Sequence, residues 1–182
     1  MKLHAPLTNN DALANIKAGD WLSLSGTIYS ARDVAHQRLL KAIQENRPLP
    51  FELEGAVIYY MGPSPTPPGR VIGSAGPTSS YRMDPYTPEL LRRGVKAVIG
   101  KGPRGPAVRQ ALREHQALYL AAAGGVAALL AQCVKEAEII AYPELGAEAV
   151  RRLHVEKMEL ICVNDIWGND LYQNGQKTWR TL

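Results

Sequence analysis

Two cysteines and one phenylalanine in 182 residues remove several classes of protein before any motif is considered. Two thiols are too few for a disulfide framework or for a self-contained cysteine-ligated metal cage. Cys133 and Cys162 stand in apolar surroundings, so both are expected as buried thiols and not as a disulfide or metal pair. No run of eighteen uncharged apolar residues is present, which excludes a membrane-spanning helix. The first six residues lack the apolar core of a secretion signal, so the cytoplasm is the expected compartment. The net charge of +4 is scattered and forms no block of like charges, and the eight tyrosines are not interleaved with arginine. Both observations argue against nucleic acid as the ligand. Neither a Gly-x-Ser-x-Gly elbow nor a His-Glu-x-x-His motif occurs, and His4, His115 and His154 have no metal-ligating spacing. Gly124-Gly125 precedes an apolar helix but lacks the full Gly-rich phosphate fingerprint.

What remains is a chain of ordinary globular composition, 46% hydrophobic and 21% charged, long enough for one domain with a real core. Strands are expected at 20–25, 55–60, 71–75, 95–99, 117–121, 138–142 and 158–163. Helices are expected at 12–17, from 33 to about 45, at 88–93, at 106–115, from 124 to about 134, and at 145–153. The connection 63–69 holds four prolines and fits no helix. This alternation argues an α/β domain. The expected organisation is a lead-in over 1–18, one domain over 19–172, and a polar, irregular tail from Asn164 whose last part is 173–182.

Three expected strand ends carry cations and hydroxyls. The first has Ser30, Arg32, Asp33 and His36; the second has Thr78, Ser79, Ser80 and Arg82; the third has Lys101 between Gly100 and Gly102. Such loops converge on one edge of an α/β sheet, where ligands bind. Arginine grips a carboxylate bidentately and lysine adds a point charge, so Arg32, Arg82 and Lys101 together suit a small dianion. Arg32 stands at a helix N-terminus, where the helix dipole disfavours a cation. A locally unfavourable charge calls for a reason, and ligand binding is one.

These residues also resemble a known family. Ser25-Gly26-Thr27 with Ala31-Arg32-Asp33-x-x-His36, then Gly76-Pro77-Thr78-x-x-x-Arg82-Met83-Asp84-x-Tyr86-Thr87-Pro88, then Gly100-Lys101-Gly102 and Gly124-Gly125-Val126 occur in the order found in the β subunit, or C-terminal region, of class I iron–sulfur fumarate hydratases. The β subunit of L(+)-tartrate dehydratase is the sister family. The resemblance covers about 19–172. It implies a three-layer swivelling β/β/α domain like the fumarase C-terminal domain, and the reversible hydration of fumarate to L-malate. It implies a four-iron four-sulfur cluster held by a partner α subunit and not by this chain, in a heterodimer or heterotetramer. A cubane takes three or four cysteines, which agrees with the two found here. Carried over by motif, Arg32, Arg82 and Lys101 hold the substrate carboxylates and Thr78 takes the proton from malate C3, with Asp33, His36 and Asp84 in support. Tyr81 replaces the glycine that many relatives carry, and Asp84 points to fumarase over tartrate dehydratase, whose β subunits tend to have glutamate there. The alternatives are a tartrate dehydratase β subunit and a non-catalytic assembly or anion-binding subunit.

Overall fold

The computed structural model describes residues 1–180. Strand β1 (Lys2–Ala5) and helix α1 (Asn10–Ala14) lead into the long strand β2 (Trp21–Ser30) and helix α2 (Asp33–Gln44). Strand β3 (Val57–Tyr59), helix α3 (Thr87–Arg92), strand β4 (Ala97–Gly100), helix α4 (Pro106–Glu114) and strand β5 (Leu118–Ala121) follow. The chain ends with helix α5 (Ala127–Cys133), strand β6 (Val134–Ala141), strand β7 (Val150–Asn164) and helix α6 (Leu171–Trp179). The result is a mixed α/β domain with a seven-stranded sheet in the order β1-β2-β3-β4-β5-β7-β6. Strand β7 also pairs antiparallel with β2, so β2, β3, β4, β5 and β7 close into a ring.

Alternation along the central strands divides the interior into two cores. Val57, Tyr59, Ala97, Ile99, Leu118 and Leu120 face inward, against Leu22, Leu24, Leu153, Met158 and Leu160. Their neighbours Ile58, Tyr60, Val98 and Tyr119 point the other way, against Ala35 and Leu39 of α2, Leu90 and Leu91 of α3, and Val108 and Leu112 of α4. Period-two patterning on buried parallel strands is the cause, each strand being apolar on both faces.

Several sequence expectations need correction. Residues 71–75 form no strand, because the Pro-rich segment folds back on itself. Ser64 N–H donates to Ser74 O, Ser74 N–H donates to Ser64 Oγ, and Ala75 N–H donates to Ala127 O. Residues 145–153 form no helix. A 3-10 turn over Pro143–Glu148 is broken at Gly146 (φ 57°, ψ −113°), and β7 starts at Val150. The expected strand 158–163 is only the end of this longer strand, whose alternation is interrupted near Lys157 (φ 50°). Helix α5 stops at Cys133, and the strand expected at 138–142 begins at Val134. Strand β1 is absent from the expected set; it pairs parallel with β2 from Lys2↔Ser23 to Ala5↔Gly26. The segment from Asn164 is not irregular throughout: Asp170 caps α6 by accepting from Tyr172 and Gln173 N–H. Positions 181–182 of the expected tail lie outside the described residues.

The parallel strands decide where chemistry can occur. Ser30, Tyr59, Ile99 and Leu120 lie in one row across β2 to β5. The segments that follow these strands therefore leave from one edge, the carboxyl edge.

Candidate functional site

The first loop at this edge delivers Arg32 to the N-cap of α2 with extended backbone and no side-chain cap bond. Acids surround its misplaced charge. Arg32 Nε lies 3.8 Å from Asp33 Oδ2, and Arg32 Nη2 lies 3.7 Å from Glu148 Oε1. The guanidinium runs across Gly62, where a Cβ would sit 2.8 Å from Nη1 and 2.9 Å from Cδ. A side chain at position 62 would displace Arg32. Asp33 also reaches the second loop, accepting from Arg82 Nε at 2.8 Å. One carboxylate thus joins the two arginines singled out from the sequence.

The second and third loops are joined through their backbones. Thr78 N–H donates to Tyr60 O (2.7 Å), Lys101 N–H donates to Thr78 O (3.3 Å), and Ser80 N–H donates to Lys101 O (2.9 Å). Lys101 is held between Thr78 and Ser80 while its own residue stays exposed. Gly100 is required here, because a Cβ would collide with Ser80 Oγ. Ser80 itself is buried and bonds Tyr119 Oη at 2.9 Å. Thr78 is half-buried, and its hydroxyl makes no hydrogen bond among the described residues. Tyr81 is 66% exposed and packs outward.

Two supporting residues lie beneath this surface. His36 is fully buried on α2, with Nδ1 donating to Arg32 O at 2.8 Å and its ring edge-on to Tyr60 at 5.3 Å. Burial drives its pKa from 6.5 down to about 4; the nearby Arg104 charge adds to the fall, while the bond to Arg32 O and the Asp33 carboxylate oppose it. The imidazole is therefore neutral. Because the folded-state pKa is depressed, the stabilisation is complete above the unfolded value of 6.5 and is lost as pH falls toward 4. Stability should drop by about 2 kcal/mol between roughly pH 7 and pH 5 from this group. Urea unfolding at the two pH values, with His36→Gln as the comparison, checks it; equal slopes in both proteins would remove the assignment.

Asp84 also turns inward. Its Oδ1 accepts from Arg104 Nε (2.8 Å) and its Oδ2 from Gly105 N–H (2.7 Å). Arg104, which sequence reasoning missed, is buried. It donates to Thr87 Oγ1 (2.8 Å) and Tyr60 Oη (3.3 Å), with its guanidinium carbon 5.2 and 5.1 Å from the centres of the Tyr60 and Tyr119 rings. Its signal was slight: a lone arginine in Pro103-Arg104-Gly105-Pro106, at a helix start where a cation gains nothing from the dipole. Glu148 was missed as well, since it approaches from 114 positions away in sequence.

The structure therefore brings Arg32, Asp33 and Arg82 together by side chains, and Thr78 and Lys101 by backbone. It sets His36 and Asp84 behind them. Arg82 and Lys101 are exposed, while the Arg32 and Asp33 side chains are half-buried. Two clefts of about 460 and 370 Å³ flank the Pro-rich segment, and neither is lined by Arg32, Thr78, Arg82 or Lys101.

The thiols do not fit a metal cluster. Burial pushes the Cys162 thiol up to about 12, with the Asp165 and Asp20 carboxylates adding to the rise. Cys133 is only half-buried, a correction to the sequence expectation, and its Sγ lies 3.8 Å from Leu129 O. Among the described residues no three His, Cys, Asp or Glu side chains are grouped so as to hold a metal.

Comparison with known proteins adds to this geometry. The family model described as "Fumarase C-terminus" matches residues 1–175. The aerobic class I fumarate hydratase of Escherichia coli K12 is 41% identical over 159 residues, covering 86% of this chain and 29% of that protein. Fumarate hydratase 2 of Leishmania major is 38% identical over 162 residues, 88% of this chain and 28% of that protein. A Methanocaldococcus jannaschii protein provisionally named as the beta subunit of L(+)-tartrate dehydratase is 37% identical over 177 residues, 94% of this chain and 90% of that protein. The chain spans about a third or less of the length of the fumarate hydratases it matches.

Proposed function

The chain belongs to the fumarase C-terminus family, and from that premise we propose that it is the β portion of a hydro-lyase that interconverts fumarate and L-malate. Its fold is read as the swivelling β/β/α domain: two β layers from the closed ring, with α2, α3 and α4 as the third layer. An α partner completes the site and carries the four-iron four-sulfur cluster, since the two thiols here do not suit one. The match over 90% of a protein named as a beta subunit supports the partnership. The cytoplasm is the proposed compartment; among the described residues no helix is long and apolar enough to cross a membrane.

The observation that carries the reading is the Arg32–Asp33–Arg82 bridge beside the Thr78–Lys101 clasp. Three cations on one edge are of the sign that attracts a dicarboxylate, and Arg82 and Lys101 are exposed to it. Asp33 holds both guanidinium groups in place without neutralising Lys101. In the dehydration direction the C3–H bond breaks, its proton passes to a base, and hydroxide leaves C2. Negative charge builds on the adjoining carboxylate, where Arg32, Arg82 and Lys101 stabilise it. Thr78 is the base. A threonine hydroxyl needs activation, and its unbonded oxygen leaves it free for a group on the partner.

Co-production with the α partner under anaerobic conditions, followed by fumarate and L(+)-tartrate assays, tests the reading. Fumarate hydration is expected. Turnover of tartrate alone would favour the second reading, which the M. jannaschii match supports. Activity on neither would overturn both.

Arg82→Lys keeps the charge and loses the fork that grips Asp33 and substrate together. A loss of about tenfold in kcat/KM is expected. Unchanged steady-state kinetics would remove Arg82 from the site.

A further inference from the structure

We propose that Glu148 is the positioning residue for Arg32; this rests on the reading of Arg32 as a carboxylate-binding group. Arg32 occupies an N-cap position that normally supplies a side-chain acceptor to the first helical N–H groups, and it supplies none. Glu148 does this from outside the helix. Its Oε2 accepts from Val34 N–H at 2.9 Å, while its Oε1 lies 3.7 Å from Arg32 Nη2. One carboxylate thus caps α2, complements the positive end of the helix dipole, and balances the cation that the helix disfavours.

The segment bearing Glu148 is fixed onto α2 at several points. Glu144 pairs with Arg38, and the Arg38 guanidinium lies over the Tyr142 ring at 4.9 Å. Arg151 holds the turn from the other side through Gly146 O (2.7 Å) and Ala149 O (3.0 Å). Tyr142 and Gly146 both adopt φ of 57°, so the turn takes a shape that aims Glu148 at the start of α2. Ala147 O and Gly62 line the same side of Arg32: a Cβ on Gly62 would meet both. The Arg32 and Glu148 side chains are 22% and 23% exposed, sheltered enough for the pair to be weakly screened. Asp33 does not duplicate this contact: its Oδ1 is engaged by Arg82, while its Oδ2 lies 3.8 Å from Arg32 Nε and makes no hydrogen bond among the described residues.

The test uses the α-partner complex with Glu148→Gln, Arg32→Lys and the double variant. Glutamine retains an acceptor for Val34 N–H and removes only the charge. Glu148→Gln should raise KM for fumarate about tenfold, with kcat changed less than about threefold and the melting temperature within about 2 °C. The double variant should bind no worse than Arg32→Lys alone, the mark of a residue acting through another. An unchanged or lowered KM, or full additivity, would overturn the proposal; a lowered KM would mean that Glu148 competes with substrate for Arg32. Nitrogen-15 NMR of the full chain without its partner reads the arrangement apart from turnover. A slowly exchanging Arg32 Nη–H signal is expected in the wild type and its loss in Glu148→Gln. The same signal in both proteins overturns the positioning role even where the wild-type complex turns over neither substrate, and that inactivity would count against the functional reading alone.

Discussion

Replacing Arg104 with methionine should destabilise the fold by about 3 kcal/mol, the cost of leaving one member of a buried ion pair alone. Arg104 is buried between the Tyr60 and Tyr119 rings and donates to Asp84, Thr87 and Tyr60. Methionine fills much of the space but offers no donor. Asp84 keeps its bond from Gly105 N–H and about a fifth of its exposure, which holds the loss to the low end of the range for broken buried pairs. Thr87 and Tyr60 keep their mutual hydrogen bond of 2.8 Å. Adding Asp84→Asn to Arg104→Met should recover part of the loss, since the stranded charge is then gone. Urea unfolding of the three proteins measures this. A loss under about 1 kcal/mol for Arg104→Met would show that the network contributes little.

That network also sets how the candidate site is placed. Asp84 closes the loop that carries Thr78 and Arg82, and Arg104 sits three positions after Lys101. Their bond ties the second loop to the third from below, while the Thr78–Lys101–Ser80 backbone bonds tie them from above. The cationic face therefore rests on a buried polar support.

The polar loops at the strand ends were legible in the sequence because their chemistry is local. Gly76-Pro77-Thr78, the Thr87-Pro88 helix start and Gly100-Lys101-Gly102 each announce a turn or cap within a few residues. What the sequence hid depends on partners far along the chain. Glu148 meets α2 across 114 positions, and Arg104 is buried only because Tyr60 and Tyr119 bracket it. The misreading of 145–153 as helix has the same origin. Val150, Leu153 and Val155 are inside because β2 and β6 pair on either side of β7, and a bulge near Lys157 breaks the period-two signal. At 71–75 the apolar run suggests a strand, but Ser64 and Ala127 take the backbone bonds that a neighbouring strand would need.

Thr78→Ala should lower kcat of the α-partner complex by about a hundredfold or more while KM changes little, the pattern for loss of a proton-transfer group. The structure makes this substitution readable. Thr78 is held through its backbone, by Tyr60 O and by Lys101 N–H, so removing the side chain leaves the loop bonds in place. Its hydroxyl makes no hydrogen bond among the described residues, so no structural bond is broken with it. A purely binding hydroxyl behaves differently: its loss raises KM and largely spares kcat. Thr78→Ser retains the oxygen and should keep much of the rate. Exchange of the malate C3 proton with deuterated solvent isolates the step. The wild-type complex should exchange it, Thr78→Ser somewhat more slowly, and Thr78→Ala far more slowly. Exchange by Thr78→Ala at the wild-type rate would assign the base to the partner and leave Thr78 as a positioning group beside Lys101.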